Sequence, residues 1–155
     1  MNDLSEQDIK VFVEAILRFF RQLSDEGATV RSAYLADEQN PPPIYDYTGI
    51  IAVHGGFKGH IYFSASRTML ALLILSMGEN LQEAHFLDMV GEVANTFSGN
   101  ARQHFGSDLD IAPPINIRGR PEVISSNTRA RPYVVPFRWK AQDAALVVDI
   151  ERVSA

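Results

Sequence analysis

The protein is a chain of 155 residues with a formal net charge of −5, 46% hydrophobic residues and no cysteine. This length suits a single domain, spanning residues 1–155, that buries its own core. The missing cysteine excludes disulfides, thiolate nucleophiles and cysteine-ligated zinc, and the acidic balance argues against nucleic acid as a partner.

No segment has the pattern of a membrane span or a leader. Charged residues interrupt every apolar run near the N-terminus, which is not typical of a signal peptide. The longest apolar run, residues 69–75, is far too short to cross a bilayer. We therefore expect a soluble, cytoplasmic protein with no membrane contact.

The chain opens with a predicted helix. Ser5 and Asp8 have the spacing of a capping box, apolar residues then recur at helical spacing, and Gly27 is expected to end the helix. Residues 28–36 have the composition of a strand. The sequence Asn-Pro-Pro-Pro at 40–43 predicts a loop, because proline is excluded from helix interiors and central strands.

A hairpin and a second helix are predicted next. Residues 48–53 and 59–64 read as paired strands around a turn at 54–58. Ser66 is expected to cap the second helix, which should run to Gly78.

A third helix and a run of strands complete the predicted order. Asn80 with Glu83 resembles a capping box for this helix, which should end near Gly106. Four later segments read as strands: 110–118, 121–125, 132–139 and 144–153. Pro113, Pro114 and Pro136 should lie at edges or bulges. This order predicts an α+β sandwich in which helices cover one face of a sheet.

The third helix carries an unusual polar stripe. Its apolar residues cluster on one side, and nearly opposite lie Asp88, Glu92, Asn95 and Gly99. Asparagine and glycine are each disfavoured in a helix by roughly 0.5–1 kcal/mol relative to alanine. We infer that something other than helix stability selects them, and that Gly99 leaves room for the backbone of another molecule.

The pair Glu92 and Asn95 suits one class of reaction. Residues three apart lie side by side across one helical turn, so a carboxylate that can bind a cation stands beside a carboxamide that can hold a water. The pair has no nucleophile and no strong general base. It fits hydrolysis of an already activated phosphoryl group, where catalysis is largely positioning. From spacing alone, the alternative is a solvated helix face.

The surrounding residues resemble a known family. Residues 88–101 follow the pattern D-x-x-x-E-x-x-N-x-x-S-G-N-A, which resembles the signature helix of the CheC/CheX/FliY chemotaxis phosphatases. The chain is most similar to the single-motif CheX branch, because it has one such helix. The preceding hairpin, residues 56–64, and the helix after it also match in order, although Pro113 and Pro114 follow Asn95 somewhat earlier than in the family pattern.

The resemblance implies a fold and an activity. The fold would be a CheX-like α/β sandwich with a mostly antiparallel sheet and long helices packed on one face. The activity would be hydrolysis of the phosphoaspartate of a CheY-type response-regulator receiver, in chemotaxis or another two-component pathway. Glu92 would pair with the active-site lysine of the receiver, Asn95 would position the attacking water, and Asp88 and Gly99 would contact the partner.

The resemblance also bears on cofactors and assembly. The Mg²⁺ needed for this chemistry would belong to the receiver, and no metal site or cofactor is expected in the chain itself. Proteins of the family can dimerise through their sheets, so the resemblance makes a homodimer through the sheet possible, while the sequence alone leaves the oligomeric state open.

Two other functions stay open at this point. The same fold could act as a non-catalytic docking module of a signalling pathway. The chain could also bind a small molecule at the hairpin that carries His54 and His60, although no third metal ligand is evident there. A basic region in the C-terminal third would complement an acidic partner; its members are Arg118, Arg120, Arg129, Arg131, Arg138 and Lys140.

Overall fold

The computed structural model describes residues 4–119 and 132–153. The helices there are α1 (Glu6–Leu23), α2 (Arg67–Ser76) and α3 (Glu83–Phe105). The strands are β1 (Thr29–Val30), β2 (Tyr34–Leu35), β3 (Tyr47–Gly55), β4 (Phe57–Ala65), β5 (Leu109–Ile111), β6 (Ile115–Arg118), β7 (Tyr133–Trp139) and β8 (Gln142–Arg152).

The strands form one antiparallel sheet in the order β1-β7-β8-β4-β3-β5, with β2 on β7 and β6 on β3. The predicted hairpin is β3 and β4, and both strands extend further than expected. The predicted strand 110–118 is instead two short strands, because Pro113 and Pro114 interrupt it. The predicted strand 121–125 lies outside the described residues.

The three described helices pack on one face of the sheet, and this confirms the predicted α+β sandwich. The main core lies between helices and sheet and includes Phe12, Phe63, Phe97 and Phe137. A smaller apolar cluster, with Ile50, Tyr62 and Val147 among its members, covers part of the opposite face. β8 is consequently buried on both faces. The alternation of residues along its sequence did not predict this burial.

Local capping explains the beginnings of α1 and α2. The amide of Ser5 donates to Asp8 Oδ2 at 2.9 Å, and the amide of Asp8 donates to Ser5 Oγ at 3.1 Å. This confirms the predicted capping box. Ser66 caps α2 by accepting the amide of Met69 at 3.1 Å. α1 ends at Leu23, four residues before Gly27.

The beginning of α3 differs from the prediction. Its N-cap is Gln82, which makes no side-chain capping hydrogen bond, so the predicted capping box of Asn80 and Glu83 is wrong. The Glu83 carboxylate instead bonds residues distant in sequence. The end of the helix matches the prediction, since Gly106 follows Phe105 with a φ of 86° that favours glycine.

Candidate functional site

The predicted stripe lies on the side of α3 that faces away from the sheet. Asp88, Glu92 and Asn95 are exposed and Gly99 is half-buried. The opposite side of the helix is packed into the core through Val90, Val93, Ala94, Phe97 and Ala101. The four polar and small residues therefore share one accessible surface, which we call the α3 stripe.

The polar side chains of the α3 stripe have no partner among the described residues. Across the part of the chain that the structure describes, Asp88, Glu92 and Asn95 make no side-chain hydrogen bond or ion pair. Glu92 and Asn95 lie one turn apart, which separates their Cβ atoms by about 5–6 Å. A carboxylate and a carboxamide are thus presented together on a rigid helix, both free to bind another molecule.

A third carboxylate of α3, that of Glu83, is already paired. Arg67 Nη1 donates to Glu83 Oε2 at 2.9 Å, and Arg118 Nη1 donates to Oε1 at 3.0 Å. The Tyr47 hydroxyl also donates to Oε1, at 2.8 Å. The hydrogen bond from Arg67 is the main cause of the lowered pKa of the Glu83 carboxyl group. Among the described residues of α3, the unpaired negative charges are therefore those of Asp88 and Glu92.

A glycine on the sheet sets how closely α3 approaches it. A Cβ built at Gly49 of β3 would lie 2.5 Å from the carbonyl oxygen of Val90 and 3.0 Å from Gly91 Cα. Such distances are shorter than van der Waals contact, so only glycine fits at position 49. The backbone of α3 consequently rests directly on β3 at the turn that leads into Glu92.

β6 contributes a residue that the sequence pattern did not single out. Asn116 is opposite Gly49 in the register of β3 and β6, so its side chain lies on the helix side of the sheet. A Cβ built at Gly91 would lie 2.6 Å from Asn116 Cγ. Asn116 Oδ1 is buried without a hydrogen-bond partner among the described residues. The sequence offered one signal for Asn116, namely a carboxamide between two isoleucines, Ile115 and Ile117, in a predicted strand.

The opposite flank of α3 is formed by α1. Phe12 packs on Phe105 with ring centroids 5.9 Å apart, and Phe19 packs edge-on against Phe97 at 5.6 Å. A groove of 480 Å³ separates the polar edges of the two helices, and Asn100 is one of its lining residues. Asn100 therefore belongs to this flank and not to the α3 stripe.

The histidines lie on the hairpin of β3 and β4 and on α3. His54 and His60 lie on the hairpin of β3 and β4, on the sheet face opposite the helices. His104 of α3 instead bonds the buried Asp8, with Nε2 and Oδ1 3.0 Å apart. Across residues 4–119 and 132–153, no group of three or more His, Cys, Asp or Glu side chains could hold a metal ion.

The predicted basic region is only partly described. Arg118 bonds Glu83, and Arg138 donates from Nε to Asp143 Oδ1 at 2.9 Å. Arg120, Arg129 and Arg131 lie outside the described residues. Both described arginines are therefore paired within the fold. In the same described ranges, no helix combines the length and apolar character needed to cross a membrane.

Comparison with known proteins links this geometry to a family. The sequence profile of the family described as chemotaxis phosphatase CheX matches residues 47–138, a range that includes β3, β4, α2, α3 and most of β7. No curated protein sequence matches the chain.

Solved structures of this kind share the fold. Chemotaxis protein CheX from Vibrio vulnificus aligns with a TM-score of 0.76 at 19% identity, covering 94% of this chain and 99% of that one. CheX from Desulfovibrio desulfuricans gives 0.76 at 20% identity, with 94% and 99% covered. A CheX–CheY–BeF3–Mg²⁺ complex from Borrelia burgdorferi gives 0.71 at 20% identity, with 93% and 97% covered. Because the family profile covers more than half of the sequence, this chain belongs to the CheX family of chemotaxis phosphatases.

Proposed function

We propose that this protein hydrolyses the phosphoaspartate of a CheY-type response-regulator receiver domain. The observation that carries the proposal is the unpaired side chains of Glu92 and Asn95, one turn apart on the exposed face of a rigid helix. The structural neighbour from Borrelia burgdorferi, which is a complex of CheX with CheY, supports a receiver as the partner.

The chemistry requires little beyond positioning. A water oxygen forms a bond to phosphorus while the bond from phosphorus to the receiver's aspartyl oxygen breaks, and the carboxylate leaves with the electron pair. The proton of the water passes to the phosphate product or to solvent. Because a carboxylate is a good leaving group, an aligned water suffices and no strong base is needed.

Each residue of the pair has a separate role in the proposal. The Asn95 carboxamide accepts a hydrogen bond from the attacking water and holds it in line with the phosphorus. The Glu92 carboxylate pairs with the receiver's active-site lysine and thereby fixes the orientation of the complex. Asp88 and Gly99 contact the partner on either side. The Mg²⁺ that neutralises phosphoryl charge is supplied by the receiver.

The test follows decay of a phosphorylated CheY-type receiver from the same genome, with and without this protein. We expect Asn95→Ala to lower kcat about 100-fold, in the range for loss of one transition-state-positioning group, with a much smaller change in KM. Glu92→Ala should raise KM and also lower kcat. Asn100→Ala is the matched control, because it removes a carboxamide from the same helix outside the α3 stripe, and it should retain wild-type kinetics.

Two results would contradict the proposal. If wild type and Asn95→Ala accelerated decay equally, Asn95 would have no part in hydrolysis. If the protein bound receivers without shortening the lifetime of the phosphoryl group, the chain would be a docking module of the same fold.

Location and assembly follow as separate proposals. A receiver domain is a cytoplasmic partner, so the proposed activity requires this protein in the cytoplasm. Dimerisation through the sheets of two copies is tested by the molar mass from light scattering, where the mass of a single chain would contradict it.

A further inference from the structure

Asn116 occupies the space of the side chain that Gly91 lacks. A Cβ built at Gly91 would fall closest to Asn116 Oδ1 and would lie 2.6 Å from both Cγ and Nδ2. The carboxamide of β6 therefore lies flat against the α3 backbone and replaces a side chain at position 91. Since position 91 is one residue before Glu92, this places a polar group of the sheet at the edge of the α3 stripe.

Helix geometry brings this carboxamide near that of Asn95. Residues 91 and 95 are an i, i+4 pair, whose Cβ positions are about 5–6 Å apart. Side chains in a helix also lean toward its N-terminus, so Asn95 leans over the turn that contains Gly91. A rotation of the Asn95 side chain toward this turn would therefore bring its carboxamide up to that of Asn116, across a position without a side chain.

The environment of Asn116 does not explain its polarity. Its Oδ1 is buried without a hydrogen-bond partner in the described part of the chain, and a buried unpaired acceptor lowers stability. An apolar residue of similar shape would fill the space over Gly91 without that penalty. Nδ2 is not among the buried unpaired atoms, and no described residue bonds it, so this end of the carboxamide is available to another group.

We propose that Asn116 is a positioning residue that donates a hydrogen bond from Nδ2 to Asn95 Oδ1 when a phosphorylated receiver is docked. The two ends of an amide have similar shape but opposite hydrogen-bonding character, so a catalytic amide needs a partner that fixes its orientation. With one lone pair of Asn95 Oδ1 held by Asn116, the other accepts the attacking water. This role rests on the proposed phosphatase function.

The experiment compares Asn116→Leu in wild-type and Asn95→Ala backgrounds. Leucine has the same branching at Cγ as asparagine but forms no hydrogen bonds. We measure kcat and KM for hydrolysis of the phosphorylated receiver, together with the thermal midpoint of unfolding. Asn80→Leu is the control, because Asn80 is exposed in the loop before α3, and it should retain wild-type kinetics.

We expect Asn116→Leu to lower kcat about 10-fold and to change KM less than 2-fold, because it acts on orientation of the water and not on docking. The thermal midpoint should stay equal or rise. In the Asn95→Ala background the same substitution should have no further effect on rate, since Asn116 acts through Asn95.

Two outcomes overturn the proposal. The first is a wild-type kcat for Asn116→Leu, and the second is an equal fold-loss in both backgrounds. If leucine prevents folding, Asn116→Ala repeats the comparison with a side chain too small to clash. Failure of the proposed function is distinct, because wild type itself would then leave the receiver's phosphoryl lifetime unchanged.

Discussion

Replacing Gly99 by alanine is expected to stabilise the fold and to weaken docking of the receiver. In the part of the chain that the structure describes, no heavy atom lies within 4 Å of a Cβ built at Gly99, apart from its chain neighbours and the adjacent backbone of its own helix. The position is inside a regular helix of 23 residues. Nothing within the described fold therefore requires glycine there, although glycine lowers helix stability by about 0.8–1 kcal/mol relative to alanine.

The expected magnitudes follow from these two facts. Gly99→Ala should raise the free energy of unfolding by about 0.8–1 kcal/mol, which corresponds to a rise of roughly 2–4 °C in Tm for a chain of this size. If the receiver's backbone approaches α3 at Gly99, the added methyl group overpacks the interface by about 1–3 kcal/mol. KM for the phosphorylated receiver should then rise about 10-fold, with little change in kcat.

For Gly99→Ala, urea unfolding measures the free energy of unfolding, and the kinetics of receiver dephosphorylation measure KM. Asn100→Ala is the matched control, because it also improves helix propensity but lies outside the α3 stripe, so its KM should not change. A lower stability for Gly99→Ala would show that a side chain at position 99 clashes with another part of the protein. An unchanged KM would show that Gly99 does not face the partner.

Two further substitutions test how the site is supported. Gly49→Ala should lower the free energy of unfolding by about 1–3 kcal/mol, because its Cβ would meet the Val90 carbonyl oxygen at 2.5 Å; unchanged urea stability would contradict the close approach of α3 to β3. Asp8→Asn should lower the free energy of unfolding by about 2 kcal/mol, because asparagine makes weaker hydrogen bonds to His104 and Arg152. An unchanged Tm would show that the contacts of Asp8 with His104 and Arg152 do not stabilise the fold. Burial raises the pKa of Asp8, but hydrogen bonds from Ser5 and His104, with the charge of Arg152, lower it overall. The ionised Asp8 carboxylate should therefore stabilise the fold fully above its unfolded pKa of about 3.9. This stabilisation is lost as the pH falls through the lower pKa of Asp8 in the folded state. Wild type should consequently lose more stability than Asp8→Asn on acidification below about pH 4.

Features set by neighbouring residues were predictable from the sequence. The capping box of Ser5 and Asp8 and the cap at Ser66 depend on contacts three residues apart, and both are present. The exposure of the α3 stripe follows from helical periodicity alone. The end of α1 was misjudged because Glu26 is held by a distant residue. Trp139 Nε1 donates to its carbonyl oxygen at 2.8 Å, which draws the chain out of the helix before Gly27.

Features set by distant residues were not predictable. The Glu83 carboxylate could not serve as a cap, because Arg67 and Arg118 from other elements bind it. The position of Asn116 over Gly91 depends on the register of β6 with β3, which no local pattern encodes. The sequence therefore indicated which helix carries the candidate site, while the residues that surround it required the tertiary structure.

The contact of α3 with Gly49 has a consequence for how partners are recognised. Because the helix backbone rests directly on the sheet, α3 can neither sink nor tilt to accommodate a different receiver. Docking orders few additional groups of this protein, so little conformational entropy is lost on association. If receivers dock on the α3 stripe as proposed, discrimination among the receivers of one cell would depend on the exposed side chains that flank the stripe. Differences in affinity should then appear mainly as differences in dissociation rate.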